Sequence, residues 1–185
     1  MEIGMEESVL LFVQEHIRQG WLNGIVVFIT KLGDMGFFWI ALTLLLFCIP
    51  KTRKTGLMCL TSIGIIHIVN NLIIKNLVGR IRPYDAISQL QALVPPLRDS
   101  SFPSGHSACS FAVAVVVFRN LPKKIGIPVL VLAFLISLSR IYVGVHYPTD
   151  VVCGAIFGTL SALAAEFIVK HFAKKIESKK SGGEN

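Results

Sequence analysis

Residues 139–150 read Ser139-Arg140-Ile141-Tyr142-Val143-Gly144-Val145-His146-Tyr147-Pro148-Thr149-Asp150, and this stretch joins two long apolar runs. Pro148 suits the first turn of a helix, because it has no N–H to lose there and its φ is already helical. A helix starting near Tyr147 puts His146 at its mouth and Asp150 about one turn inside. A carboxylate so placed can accept the imidazole Nδ1–H and leave Nε2 unprotonated and aimed outward. Arg140, just before the turn, can offer a planar fork of donors to a phosphate. A polar loop that merely caps two membrane helices would carry similar residues, so this stretch alone leaves both readings open.

The flanking runs set the fold class. Of 185 residues, 53% are hydrophobic and the mean hydropathy is +0.66, too apolar for an ordinary soluble domain of this size. The expectation is an all-α integral membrane bundle with a single domain over residues 1–176 and a disordered polar cytoplasmic tail at 177–185. Five spans are expected: Gly36–Ile49, Gly56–Leu77, Gly105–Phe118, Ile125–Tyr142 and Pro148–Phe172. The third is short against the roughly 17–25 residues a crossing helix needs. Before them, Glu6–Gln19 has the apolar–polar alternation of an interfacial helix. Leu22–Leu32 is apolar but too short to cross alone, so it dips into the bilayer or packs beside the bundle; a sixth span is possible there.

The net charge of +7 does not point to nucleic acid, since no basic stripe is interleaved with aromatics. Eleven basic residues fall on one side if five helices alternate: Lys51, Arg53 and Lys54; Arg119, Lys123 and Lys124; and Lys170, Lys174, Lys175, Lys179 and Lys180. The positive-inside rule makes that side cytoplasmic. Lys75, Arg80, Arg82, Arg98 and Arg140 then oppose the rule on the outer face, which marks them for a role other than topology. Four cysteines without paired spacing read as small hydrophobes. Tyr84, Tyr142 and Tyr147 are expected in an outer aromatic belt.

Three clusters gather on the outer face. In the first, Lys75 and Arg82-Pro83 end the second span. Lys75 either faces the bundle interior or snorkels to the interface; His67, Asn70 and Asn71 upstream read as polar packing. The second is Pro103-Ser104-Gly105-His106 at the head of the third span. Ser104 suits an N-cap, Gly105 permits close approach of a ligand, and free first-turn amides favour an anion. His106 stands there able to donate a proton. The third is the stretch quoted above. No cluster has metal-ligand spacing with carboxylates.

The order Lys-x6-Arg-Pro, Pro-Ser-Gly-His and Ser-Arg-x5-His-x3-Asp resembles the signature of the type 2 phosphatidic acid phosphatase superfamily, matched at every motif position from Lys75 to Asp150. That resemblance implies a metal- and cofactor-free lipid phosphatase. By it, Lys75, Arg82, Ser104, Gly105 and Arg140 bind the phosphate, His146 is the nucleophile and Asp150 orients it. His106 protonates the leaving group and then activates water. The implied substrate is a lipid phosphate or diphosphate at the extracytoplasmic face of the cell membrane. In a bacterial cell undecaprenyl diphosphate and phosphatidylglycerol phosphate are the natural candidates, with phosphatidate behind them. Two rivals remain: a vanadate-dependent haloperoxidase-like enzyme, argued against by the apolar spans, and a non-catalytic lipid-phosphate binder, which would not need the acid–nucleophile pair.

Overall fold

The computed structural model describes residues 4–181, which are all-helical with no strand among them. Helix α1 (Met5–Phe12) runs into a π-turn (Val13–Ile17), and α2 (Gly20–Leu32) bends through a short 3-10 turn into α3 (Phe37–Cys48). Helix α4 (Arg53–Ile66) continues through a π-helical stretch (His67–Ile74) into α5 (Lys75–Val78). A one-turn α6 (Pro83–Ala86) and a long loop follow, then α7 (Gly105–Asn120), α8 (Lys123–Tyr142) and α9 (Pro148–Ser181).

Among the described residues, three stretches are long and apolar enough to cross a membrane: Arg53–Ala86, Lys123–Tyr142 and Pro148–Lys175. The α2–α3 pair, bent by 44°, makes a fourth if it is one span. Leu22–Leu32 lies within α2, the first half of that bent pair. The remaining expected span, α7, has only 16 residues, or about 24 Å, and the other helices enclose it. The tail expected from residue 177 continues α9 to Ser181; residues 182–185 lie outside the described residues.

Helix α7 is the axis of the bundle because its sequence is small and apolar on every side. Ala108, Ala112, Val113, Ala114, Val116 and Val117 are all buried. Helix α9 meets it through Gly154 and Gly158, where a Cβ would stand 2.6 Å from the Ser104 carbonyl oxygen and 2.2 Å from that of Ala108. With Ala162 one turn on, this is the small-residue spacing that lets helices touch backbone to backbone in lipid. Buried hydroxyls add cross-links: Ser161 Oγ donates to the Ser62 carbonyl (2.7 Å) and Ser62 Oγ to that of Ala112 (3.0 Å). Large apolar side chains such as Phe28, Leu45, Leu72, Phe134, Ile156 and Phe167 face outward, the pattern of a bundle whose solvent is hydrocarbon.

Helix α1 lies across the end of the bundle that carries the motifs. Leu10 is buried against Ile87, Leu90 and Tyr147, Gln14 bonds the 89–91 backbone, and Arg18 donates to the carbonyls of Tyr142 and Gln91. The expected tyrosine belt is not formed by Tyr142 and Tyr147, which are buried. Tyr142 bonds Asn23 and the Gln19 amide, while Tyr147 lies under the Arg80 guanidinium at 3.9 Å. Polar partners inside the fold outcompete the headgroup region for these rings.

Candidate active site

The loop into α9 forms as its sequence dictates. Pro148 opens the helix, and the Asp150 carboxylate accepts the Tyr147 amide at 2.9 Å as a cap. The same Oδ2 lies 3.4 Å from His146 Nδ1 and accepts Ser101 Oγ at 2.5 Å, while Oδ1 accepts Arg80 Nη1 at 2.6 Å. Asp150 is thus fully buried but saturated with donors. His146 turns Nε2 the other way, where Arg82 Nη1 donates to it at 3.3 Å. Burial drives the His146 pKa down to about 3 despite the Asp150 bond, with Arg140 and Arg82 adding to the push. The imidazole is accordingly neutral at neutral pH, with the Nε2 lone pair turned toward Arg82.

A cavity of about 860 Å³ opens beside it, lined by Lys75, Arg82, Gly105, His106, Arg140 and His146. Six of the expected eight site residues share this one space, two of them, Gly105 and His106, from the head of α7. Asp150 stands behind His146. Ser104 stands apart from the cavity lining: its buried Oγ accepts the Ser107 amide (3.4 Å) and hydroxyl (3.1 Å) as the N-cap of α7. Gly105 lies at that helix's first position, where amides have no intrahelical partner.

Lys75 faces the interior rather than snorkelling. The π-stretch before it puts His67, Asn70 and Asn71 on the cavity wall, linked by Asn70 to Asn71 and Asn71 to His67 contacts of 3.0 Å each. They are pocket residues as well as packing, and a π-insertion at a functional wall is a common use of that strained winding. The same cavity is also lined by apolar side chains, among them Ile40, Ile63, Ile66 and Cys109.

Several residues beyond the motif positions complete the site. Asp99, from the loop between α6 and α7, pairs with both Lys75 and Arg82 Nη2. Burial would raise its carboxyl, but the two cations outweigh that and hold it at about 2. Ser101 and Arg80 buttress Asp150, and Glu6 of α1 ties Arg80 at 2.7 Å. Thr30 accepts Arg140 Nη1 at 2.6 Å, and Asp34 Oδ1 lies 3.0 Å from His106 Nε2. One signal could have found Asp34: an acidic residue between two glycines, inside an otherwise apolar run, is a functional candidate by default.

Comparison with known proteins agrees with the motif reading. A family model for the PAP2 superfamily matches residues 55–174. An undecaprenyl-diphosphatase of Sulfolobus acidocaldarius is 36% identical over 157 residues, 84% of this chain and 75% of that protein. Phosphatidylglycerophosphatase B of Bacillus subtilis is 35% identical over 175 residues, 87% of this chain and 80% of its own length. The crystal structure of a transmembrane PAP2-type phosphatidylglycerolphosphate phosphatase from Bacillus subtilis superposes with a TM-score of 0.72 at 33% identity, covering 92% of this chain and 85% of that one. With a matched domain that spans all three motifs, and relatives this similar along most of their length, the chain belongs to the PAP2 superfamily of phosphatases.

Proposed function

We propose that this protein hydrolyses a lipid phosphate or diphosphate at the extracytoplasmic face of the membrane, without a metal, through a phosphohistidine on His146. The observation that carries this reading is the facing of His146 Nε2, backed by Asp150 at Nδ1, into a cavity ringed by three buried cations. Lys75, Arg82 and Arg140 neutralise the non-bridging oxygens, supplying the charge stabilisation that phosphoryl transfer requires. The Gly105 amide adds a donor, and Ser104 holds the helix end that presents it. His146 Nε2 bonds to phosphorus as the phosphorus–leaving-oxygen bond breaks, and His106 gives that oxygen a proton. His106 then takes a proton from water as the water oxygen attacks and the N–P bond breaks, releasing inorganic phosphate. Asp150 orients His146 and stabilises its positive charge in the intermediate.

The apolar side chains of Ile40, Ile63 and Ile66, in the same cavity as the cations, suit a lipid chain. Undecaprenyl diphosphate and phosphatidylglycerol phosphate are the substrates favoured by the relatives' names. The test is phosphate release by detergent-solubilised protein, with chelator present, from those two lipids, phosphatidate and a soluble phosphomonoester. Release from one or more lipids that vanishes in His146→Ala supports the reading. A folded protein that releases phosphate from none of them overturns it.

A further inference from the structure

The bend between α2 and α3 reaches the cavity from a part of the chain that precedes the matched family domain. It makes three close approaches. Thr30 accepts from Arg140. Gly33 presses so near the His106 ring that a Cβ would fall 2.5 Å from its Cδ2. Asp34 Oδ1 lies 3.0 Å from His106 Nε2. The backbone that delivers them is strained: Met35, not a glycine, has φ 51°, and Gly36 follows with φ 69°. Such conformations persist where the surroundings over-determine them, often at functional sites.

We infer that Asp34 is a positioning residue for His106, forming a second carboxylate–imidazole pair beside His146–Asp150. This rests on the acid role proposed for His106. With Nε2–H held by Asp34, the nitrogen left for the reaction is Nδ1, which makes no hydrogen bond among the described residues. In the first half-reaction the Nδ1 proton passes to the leaving oxygen as the His146 Nε2–P bond forms and the P–O bond breaks. In the second, water gives its proton back to Nδ1 as its oxygen bonds phosphorus and the N–P bond breaks. Asp34 keeps Nε2–H throughout and stabilises the imidazolium that precedes and follows each turnover. It never touches the substrate.

The test uses two phosphomonoesters that differ in leaving group. A lipid alkyl phosphate needs a proton on its departing oxygen, whereas p-nitrophenyl phosphate departs as a stable anion. Asp34→Asn is expected to slow phosphoenzyme formation from the alkyl substrate, read in a single turnover, about tenfold to a hundredfold, less than the roughly 10²–10⁴ carried by a whole general acid. On the aryl substrate the same first half-reaction, read as the pre-steady-state burst of p-nitrophenol, slows by no more than about threefold, because His106 is needed there only for the water step that follows. His106→Asn shows the same discrimination, and the double variant is no worse than His106→Asn alone. Equal losses on both substrates, no loss, or a further loss in the double variant overturns the inference. Should Asp34→Asn not fold, Gly33→Ala, whose methyl pushes the ring off Asp34, must reproduce the discrimination or the inference fails. A wild-type protein inert on both substrates sinks the phosphatase reading and this inference together, whereas an active wild type isolates the fate of Asp34.

Discussion

Asp99 bridges Lys75 and Arg82: one carboxylate oxygen accepts Arg82 Nη2 at 2.7 Å while the other accepts Lys75 Nζ. A single carboxylate thus occupies donors that the proposed chemistry assigns to phosphate. Its side chain is 56% exposed, so it can swing away at modest cost.

A substrate phosphate must displace that carboxylate. The pairs are exposed only at Asp99, their cations being buried, so each is worth at least the roughly 0.2–1 kcal/mol of a surface pair, and Asp99→Asn is expected to lower KM, and the Ki of inorganic phosphate, at least about two- to fivefold, with kcat changed less. Steady-state kinetics with phosphate inhibition check this. A raised Ki would mean that Asp99 holds the cations in place for the substrate instead of competing with it.

Acid should destabilise the protein from two groups with the same sign. His146 sits at about 3 against an ordinary 6.5, so between those values the unfolded chain binds a proton that the native one does not, and stability falls as pH falls. Asp99, at about 2 against 3.8, adds its loss only below about pH 4. The melting temperature in detergent should therefore drop as pH is lowered below about 6.5. In His146→Gln the slope between pH 6.5 and 4 flattens; an unchanged slope there would contradict the assignment.

The α7–α9 contact leaves no room at Gly158, whose Cβ would meet the Ala108 carbonyl at 2.2 Å. Gly158→Leu should destabilise the fold by about 1–3 kcal/mol or more, the usual cost of overpacking. Thermal unfolding in detergent measures it, with Gly64→Ala as the control, since nothing lies within 4 Å of a Cβ there.

The proposed orientation is checked by labelling. Ser88 is exposed in the loop beside the site, and native Cys48 is exposed at the end of α3, next to the basic cluster expected to be cytoplasmic. An impermeant thiol reagent applied to intact cells should label Ser88→Cys and leave Cys48 unlabelled until permeabilisation. The reverse would place the site on the cytoplasmic side.

How much of this was legible in the sequence depends on how far each partner lies along the chain. His146 and Asp150 are four residues apart on a helix start, and Ser104 caps its own helix, so local geometry reveals them. Lys75, Arg82 and Arg140 stand out because cations at span ends oppose the topology rule. Asp34 and His106 are 72 residues apart, and their meeting depends on a bend set by a positive φ at Met35, which no periodicity announces. Asp99 and Ser101 lie in a loop whose path is fixed by Ser101 N–H to the Arg80 carbonyl (2.8 Å), again a long-range bond. The burial of Tyr142 was hidden for a related reason: its partners, Asn23 and Gln19, belong to the other end of the chain.

The most direct measurement of the central claim is to trap the intermediate. Protein mixed with substrate labelled in its terminal phosphoryl group is quenched in alkali, where a phosphohistidine survives, and the label is mapped by peptide mass. The account predicts label on the peptide carrying His146, absent in His146→Ala and accumulating in His106→Asn with a good leaving group. Turnover without any label on His146, or label retained in His146→Ala, would contradict it.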